Sequence, residues 1–336
     1  SSTPVPSVAT SSTRAASATS QAARDLPDPH TLRGLTEVPE LPDPKPVEGS
    51  SAQKLPVTVT DVEGNKVTIK STSRILALDL YGTLSRTLIG LGLGDKIVGR
   101  TVSSTEKQLH DRPVVTENGH VLNVEAVAGL KPSVIIADRS VGPKEALDQL
   151  RKSGIPVVLV DPHRSVGSTP QLIRTIADAV GKPDAGEALV KRTQEQIDQA
   201  KKQIAAWKPA KPMRVAFLYV RGNAGVFFIL GSENGASELI QGVGADDVAS
   251  DKGITTLVPA NAESLVSINP DAIFVMRDGL ASTGGMKGLL ARAGVANTTA
   301  GRKQRVISIP DGISLSFGPQ TGEVLTAVAK ALYGVK

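Results

Sequence analysis

Asn123-Val-Glu125 leads to Pro132 and then to the apolar run Val134-Ile135-Ile136-Ala137; Asn261-Ala-Glu263 leads to Pro270 and then to Ala272-Ile273-Phe274-Val275. Asn, Glu and Pro keep the same internal spacing in both copies, and each pair is separated by 138 residues. A period that long is not a solenoid repeat. It predicts two similar domains that share one helix-to-strand element. Asn caps the helix, Glu sits in its first turn where the dipole favours an anion, and Pro closes the helix before a buried strand.

Working outward, the same alternation continues on both sides. Val57-Thr-Val-Thr-Asp61 and Val67-Thr-Ile69 flank Glu63-Gly64-Asn65, the pattern of a β-hairpin. Arg74 to Leu78, Ile97 to Gly99, Val134 to Ala137 and Val157 to Val160 read as strands. Helices over Tyr81 to Leu91, Val124 to Leu130 and Lys144 to Ser153 separate them. This βαβα order predicts a mainly parallel sheet with helices on its faces. Thr169 to Val180 and Ala185 to Trp207 are helical. The second spans roughly 35 Å at ~1.5 Å per residue, enough to strut two α/β halves. Beyond Pro209 and Pro212, strands are expected at Arg214 to Tyr219, Val226 to Leu230, Ala272 to Met276 and Val306 to Ile309, with a closing helix over Gln320 to Tyr333.

Composition bounds the function. The chain has 336 residues, a net charge of +5 with scattered Lys and Arg, and few aromatic residues. No basic stripe with interleaved aromatics points to nucleic acid. No run has the apolar length of a membrane span. With no Cys, disulfides, thiolate metal sites and thiol nucleophiles are excluded. Ser1 to Ser20 is rich in Ser, Thr and Ala, and Asp25 to Gly49 in Pro and acidic residues, so residues 1–54 are expected to form a flexible tether. Such a tether suits a protein held at a surface, with a lipid-carrying Cys expected upstream of Ser1. The expected domains are then 55–168 and 211–336, two α/β lobes, with residues 169–210 as the connecting helical region. No Gly-x-Ser-x-Gly elbow is present, and Gly90-Leu-Gly92-Leu-Gly94 ends a helix instead of opening one. The hydrolase and dinucleotide readings therefore fail, and the chain is not expected to be an enzyme.

The stretch from Arg74 through Leu91-Gly-Leu-Gly-Asp-Lys-Ile-Val-Gly99, the Asp61-Val-Glu-Gly64 hairpin, Leu130 to Ala137 and Ile268 to Val275 resemble the substrate-binding proteins of iron-siderophore, corrinoid and haem ABC importers. The resemblance covers residues 55 to 336. It implies two Rossmann-like α/β lobes joined by a single long α-helix, a ligand cleft between them, and limited hinge closure. It further implies that Glu125 and Glu263, one on each lobe, dock on the permease dimer that works with a cytoplasmic ATPase. The implied place is extracytoplasmic, on a monomeric, membrane-anchored lipoprotein.

Within that arrangement His120, on a loop after Asn118-Gly119, faces the cleft from one lobe. Tyr219-Val220-Arg221, at a strand end where open α/β sheets bind ligands, faces it from the other. The pair suits ferric haem. A phenolate is a hard anionic ligand for Fe(III), and a nearby cation favours the phenolate of a tyrosine, which otherwise has a pKa near ~10. Arg221, two residues on, shares a strand face with Tyr219, and neutral His120 would take the opposite axial position. Gly119-His120 and Tyr219-Val-Arg221 are similar to the HmuT-type haem-binding lipoproteins of haem importers. The resemblance implies capture of haem b and its delivery to the permease, with an upstream surface protein as haem donor. A ferric siderophore or a corrinoid is the alternative ligand. Arg139 and Arg277 at equivalent strand ends are candidates for the haem propionates, and Tyr81 and His163 for the cleft wall.

Overall fold

The computed structural model describes residues 25–336, so Ser1 to Ser20 lie outside the described residues. In the first lobe four parallel strands run in the order Ile97–Gly99, Ile75–Leu78, Val134–Ala137, Val157–Leu159. Ile75, Ala77, Val134, Ile136 and Val158 enter one apolar cluster, and Leu76, Leu78, Ile135, Ala137, Val157 and Leu159 the opposite one. Both faces are thus buried under helices. This explains why the strands read as continuous apolar runs and not as alternating ones.

The second lobe repeats the plan on a larger, mixed sheet. Val306–Ile309, Ala272–Met276 and Arg214–Arg221 are parallel, and Val226–Ile229 turns back antiparallel on the last of these. Here too the residues alternate between two clusters. Val215, Phe217, Phe274 and Ile307 face one side, and Ala216, Leu218, Ile273 and Val306 the other.

The repeated element has the same geometry in both lobes. Asn123 accepts a hydrogen bond from the Ala126 amide (3.0 Å) and Asn261 from the Ser264 amide (2.8 Å), each capping its short helix. The residue before each proline, Lys131 or Asn269, takes a left-handed backbone with φ of 50° and 37°. These two residues are also 138 apart. They break the helix one step before the proline turns the chain into its strand.

The lobes are joined by the helix Pro183–Trp207, 25 residues long. Its first half enters the core of the first lobe through Ala185, Leu189 and Val190, and its second half the core of the second through Ala200 and Ile204. Each end is therefore anchored by apolar burial, which stiffens the connection.

The described part of the expected tether is packed on both lobes. Leu35–Glu37 adds a parallel strand to the edge of the second lobe beside Val306–Ile309. The chain then crosses to the first lobe. Pro42 accepts a hydrogen bond from Gln320 (2.6 Å), and the Asp43 carboxylate accepts from the Lys107 and Gln108 amides (2.8 and 3.0 Å). Val47 hydrogen-bonds Gly90 through its backbone and is buried in the first lobe's core. The acidic, Pro-rich composition hid this because only four residues of the described segment, Pro29, Val38, Pro44 and Val47, are buried. The prolines preset an extended path that needs few further contacts to be held.

Candidate ligand-binding site

The C-terminal ends of the parallel strands lead to Asp79 and Asp138 in the first lobe and carry Tyr219 and Arg221 in the second. In the first lobe Asp79 follows Ile75–Leu78 and Asp138 follows Val134–Ala137, and the register Leu78 to Ala137 sets the two carboxylates side by side. Arg164 lies between them, 4 % exposed, at 3.0 Å from Asp79 and 2.7 Å from Asp138. Burial, and then the neighbouring Asp79 charge, push the Asp138 carboxyl up to about 6, with Arg164 opposing. Burial also works against the Arg164 charge, while Asp79 and Asp138 hold the guanidinium above its usual range. Breaking such a triad by removing one member leaves an uncompensated buried charge. The Arg164 guanidinium lies over the Tyr81 ring, 5.0 Å from its centroid. Sequence reasoning missed Arg164. Six residues lie between Asp161-Pro162 and the helix Thr169–Ala179, and nothing in their pattern marks Arg164 as buried.

His120 stands at the tip of a small hairpin, Thr116–Glu117 with Val121–Leu122. Asn118 and Gly119 both adopt positive φ (51° and 85°), which an Asn-Gly pair tolerates and most residues do not. The His120 carbonyl accepts from the Gly142 amide at 2.9 Å, and Asn123 donates to the Glu117 carboxylate at 3.1 Å while capping its helix. The backbone is thus fixed and the imidazole is left exposed, with only the Asn118 carbonyl at 3.3 Å from Nδ1.

Tyr219 and Arg221 project from the last residues of Arg214–Arg221, on one face as their spacing requires. The Arg221 guanidinium lies over the Tyr219 ring, 5.3 Å from its centroid, and is ion-paired to Asp311 at 2.6 Å. Burial works against its charge, but Asp311 and Tyr219 hold it above the usual guanidinium range. The following turn is pinned in place: Arg292 donates to the Gly222 and Ala224 carbonyls, and Ser282 accepts from the Gly222 amide at 3.0 Å. Asp311 was not among the residues picked out in the sequence. It follows the last strand by two residues, and only the fold brings it to a position 90 residues earlier in the chain.

Two expected propionate partners are held in ion pairs. Arg139 is bound to Glu63 of the hairpin through two bonds (2.7 and 2.8 Å) and to Asp148 at 3.2 Å. Arg277 pairs with Glu40 of the N-terminal segment at 2.7 Å and with Asp278. His163 is exposed and lines a cavity of about 300 Å³ with Thr60, Asp61, Gln171 and Thr175, between the first hairpin and the helix Thr169–Ala179. Tyr81 is half-buried beside Asp138 and Arg164. Burial first, and then Asp138, push its phenol up, which favours the protonated form. Glu125 and Glu263 are both exposed in the first turns of their helices. A larger groove of about 1050 Å³, between the connecting helix, the closing helix and the N-terminal segment, contains none of the candidate residues.

The family described as periplasmic binding protein matches residues 80–312. The crystal structure of heme binding protein HmuT is 49% identical, with a TM-score of 0.90, and the similarity covers 92% of this chain and 100% of that one. Further structures of that protein carry alanine in place of one histidine, one tyrosine or one arginine. An uncharacterized ABC transporter substrate-binding lipoprotein, YvrC of Bacillus subtilis (strain 168), is 27% identical over 280 residues, covering 83% of this chain and 86% of that protein. A cobalamin-binding protein of Halobacterium salinarum (strain ATCC 29341 / DSM 671 / R1) is 24% identical over 299 residues, 87% of this chain and 78% of that protein.

Proposed function

Because the chain belongs to the periplasmic binding protein family, whose members bind and do not catalyse, we propose that it captures haem b in the cleft between its lobes and delivers it to an ABC permease. Tyr219 is the anionic axial ligand to Fe(III), His120 the neutral one on the opposite lobe, and Arg221 the cation that supports the phenolate. One observation carries this reading. His120, Tyr219 and Arg221 are spaced 99 and 2 residues apart, and the histidine, tyrosine and arginine replaced in the HmuT variants have those same spacings. The geometry is in keeping with it, since Arg221 lies over Tyr219 and His120 is exposed on a rigid turn.

Delivery needs a docking surface. Glu125 and Glu263, in matched positions on the two lobes, are exposed and would meet basic residues of a two-fold permease assembly driven by a cytoplasmic ATPase. The protein acts outside the cytoplasm and is held at the membrane by a lipid anchor, a reading supported by the relative named a lipoprotein. Cobalamin is the second reading, favoured by the cobalamin-binding relative. Parallel titrations with hemin and with cyanocobalamin, followed by absorbance and by quenching of the single tryptophan, Trp207, test the two. Saturable one-to-one uptake of hemin, with none of cyanocobalamin at equal concentration, is expected; the opposite preference would overturn the haem assignment.

A further inference from the structure

Asp311 has both carboxylate oxygens committed. One accepts from Arg221 Nη2 at 2.6 Å and the other from the Asp278 amide at 2.8 Å, in the first turn of the helix Arg277–Ser282. The slot around the Arg221 guanidinium is tight elsewhere too. Met276 Sδ lies 3.5 Å from Nη2, and a methyl group added at Gly279 would come within 2.8 Å of Nη1. Arg221 therefore has one side closed by a glycine, one by a thioether, one by the Tyr219 ring and one by a carboxylate that is itself fixed.

The next residue, Gly312, meets the other lobe. A methyl group there would fall 1.8 Å from Thr105 Oγ1, so only glycine allows this approach. The carboxylate that holds Arg221 is thus adjacent in sequence to a point where the two lobes touch.

We propose that Asp311 is a positioning residue for ligand binding: it acts through Arg221, fixing the guanidinium over Tyr219, and its own place is set by the contact between the lobes at Gly312 and Thr105. This rests on the haem reading and adds a residue to it. A long arginine side chain loses several rotatable degrees of freedom when fixed, and a partner already held by a backbone amide lowers that cost at the moment the ligand arrives.

The test is a double-mutant cycle read by hemin titration of the full chain, with Arg221→Ala, Asp311→Asn and the two combined. Asp311→Asn is expected to weaken hemin binding about as much as Arg221→Ala, on the order of ten-fold, and to add less than two-fold once Arg221 is gone, because coupled residues are not additive. Asp311→Glu should recover part of the loss. A purely structural carboxylate would instead lower affinity equally in both backgrounds and give additive losses, which would overturn the proposal. So would an Asp311→Asn variant that melts as the parent does and binds hemin as tightly. Should the parent itself take up no hemin, the haem reading fails before Asp311 is tested, so the two failures are distinguishable.

Discussion

At the end of the first strand in each lobe stands a tyrosine under an arginine: Tyr81 with Arg164, Tyr219 with Arg221. Their surroundings separate them. Arg164 is buried and divided between Asp79 and Asp138, and Tyr81, beside the same carboxylates, is held protonated. Arg221 serves one carboxylate, Asp311, and keeps its face toward the Tyr219 ring. Tyr81→Phe is accordingly expected to change hemin affinity less than two-fold, and Arg139→Ala likewise, since Arg139 is engaged by Glu63; hemin titration of both variants checks this. A ten-fold loss in Tyr81→Phe would move the tyrosine ligand from Tyr219 to Tyr81. His120, Tyr219 and Arg221 could be proposed from the sequence because Gly119-His120 and Tyr219-Val-Arg221 are short local motifs. Arg164 and Asp311 could not, because each gains its role from residues 85 and 90 positions away.

Strands and capped helices were readable wherever an element's cause lies within it. The Asn caps, the closing prolines and the continuous apolar runs of doubly covered strands are such causes. The segment from Asp25 to Lys54 was not, because its order comes from the surfaces it crosses. Val38 sits in the second lobe's core and Val47 in the first's, 2 % and 6 % exposed. Burying a valine contributes about 1.5–3 kcal/mol, and a charge in its place costs more. Val38→Asp and Val47→Asp are each expected to lower unfolding stability by at least about 2 kcal/mol in urea denaturation. A flexible tether would tolerate both without change. The segment is a second connection between the lobes beside the helix Pro183–Trp207, and two connections restrict relative motion more than one.

Across the whole molecule the lobes also meet through side chains. Arg86 of the first lobe donates to Gln320 of the second at 2.6 Å and to Thr105, and Val166 donates through its amide to Glu238 at 2.9 Å. Behind Arg86 lies Glu106, 2 % exposed, at 3.4 Å without a hydrogen bond between them. Burial pushes the Glu106 carboxyl up to about 7, against the pull of Arg86. Its folded pKa therefore exceeds its unfolded value near ~4.3, so the folded state binds the extra proton. Stability is full below that lower value and falls as pH rises toward 7. Glu106→Gln should remove this slope, gaining on the order of 2–3 kcal/mol over the parent at pH 8 relative to pH 5, read by urea denaturation at both. An unchanged slope would show that Glu106 ionises freely. On the haem reading, the two braced lobes hold Tyr219 and His120 on either side of the ligand. The most direct test is the absorption spectrum of the ferric hemin complex of the parent, Tyr219→Ala and His120→Ala proteins across a titration. A sharp one-to-one Soret band in the parent, an affinity loss of at least about ten-fold in Tyr219→Ala and a smaller loss in His120→Ala are expected, because only the phenolate offsets the iron's charge. Equal affinity and identical spectra in all three proteins would contradict the site.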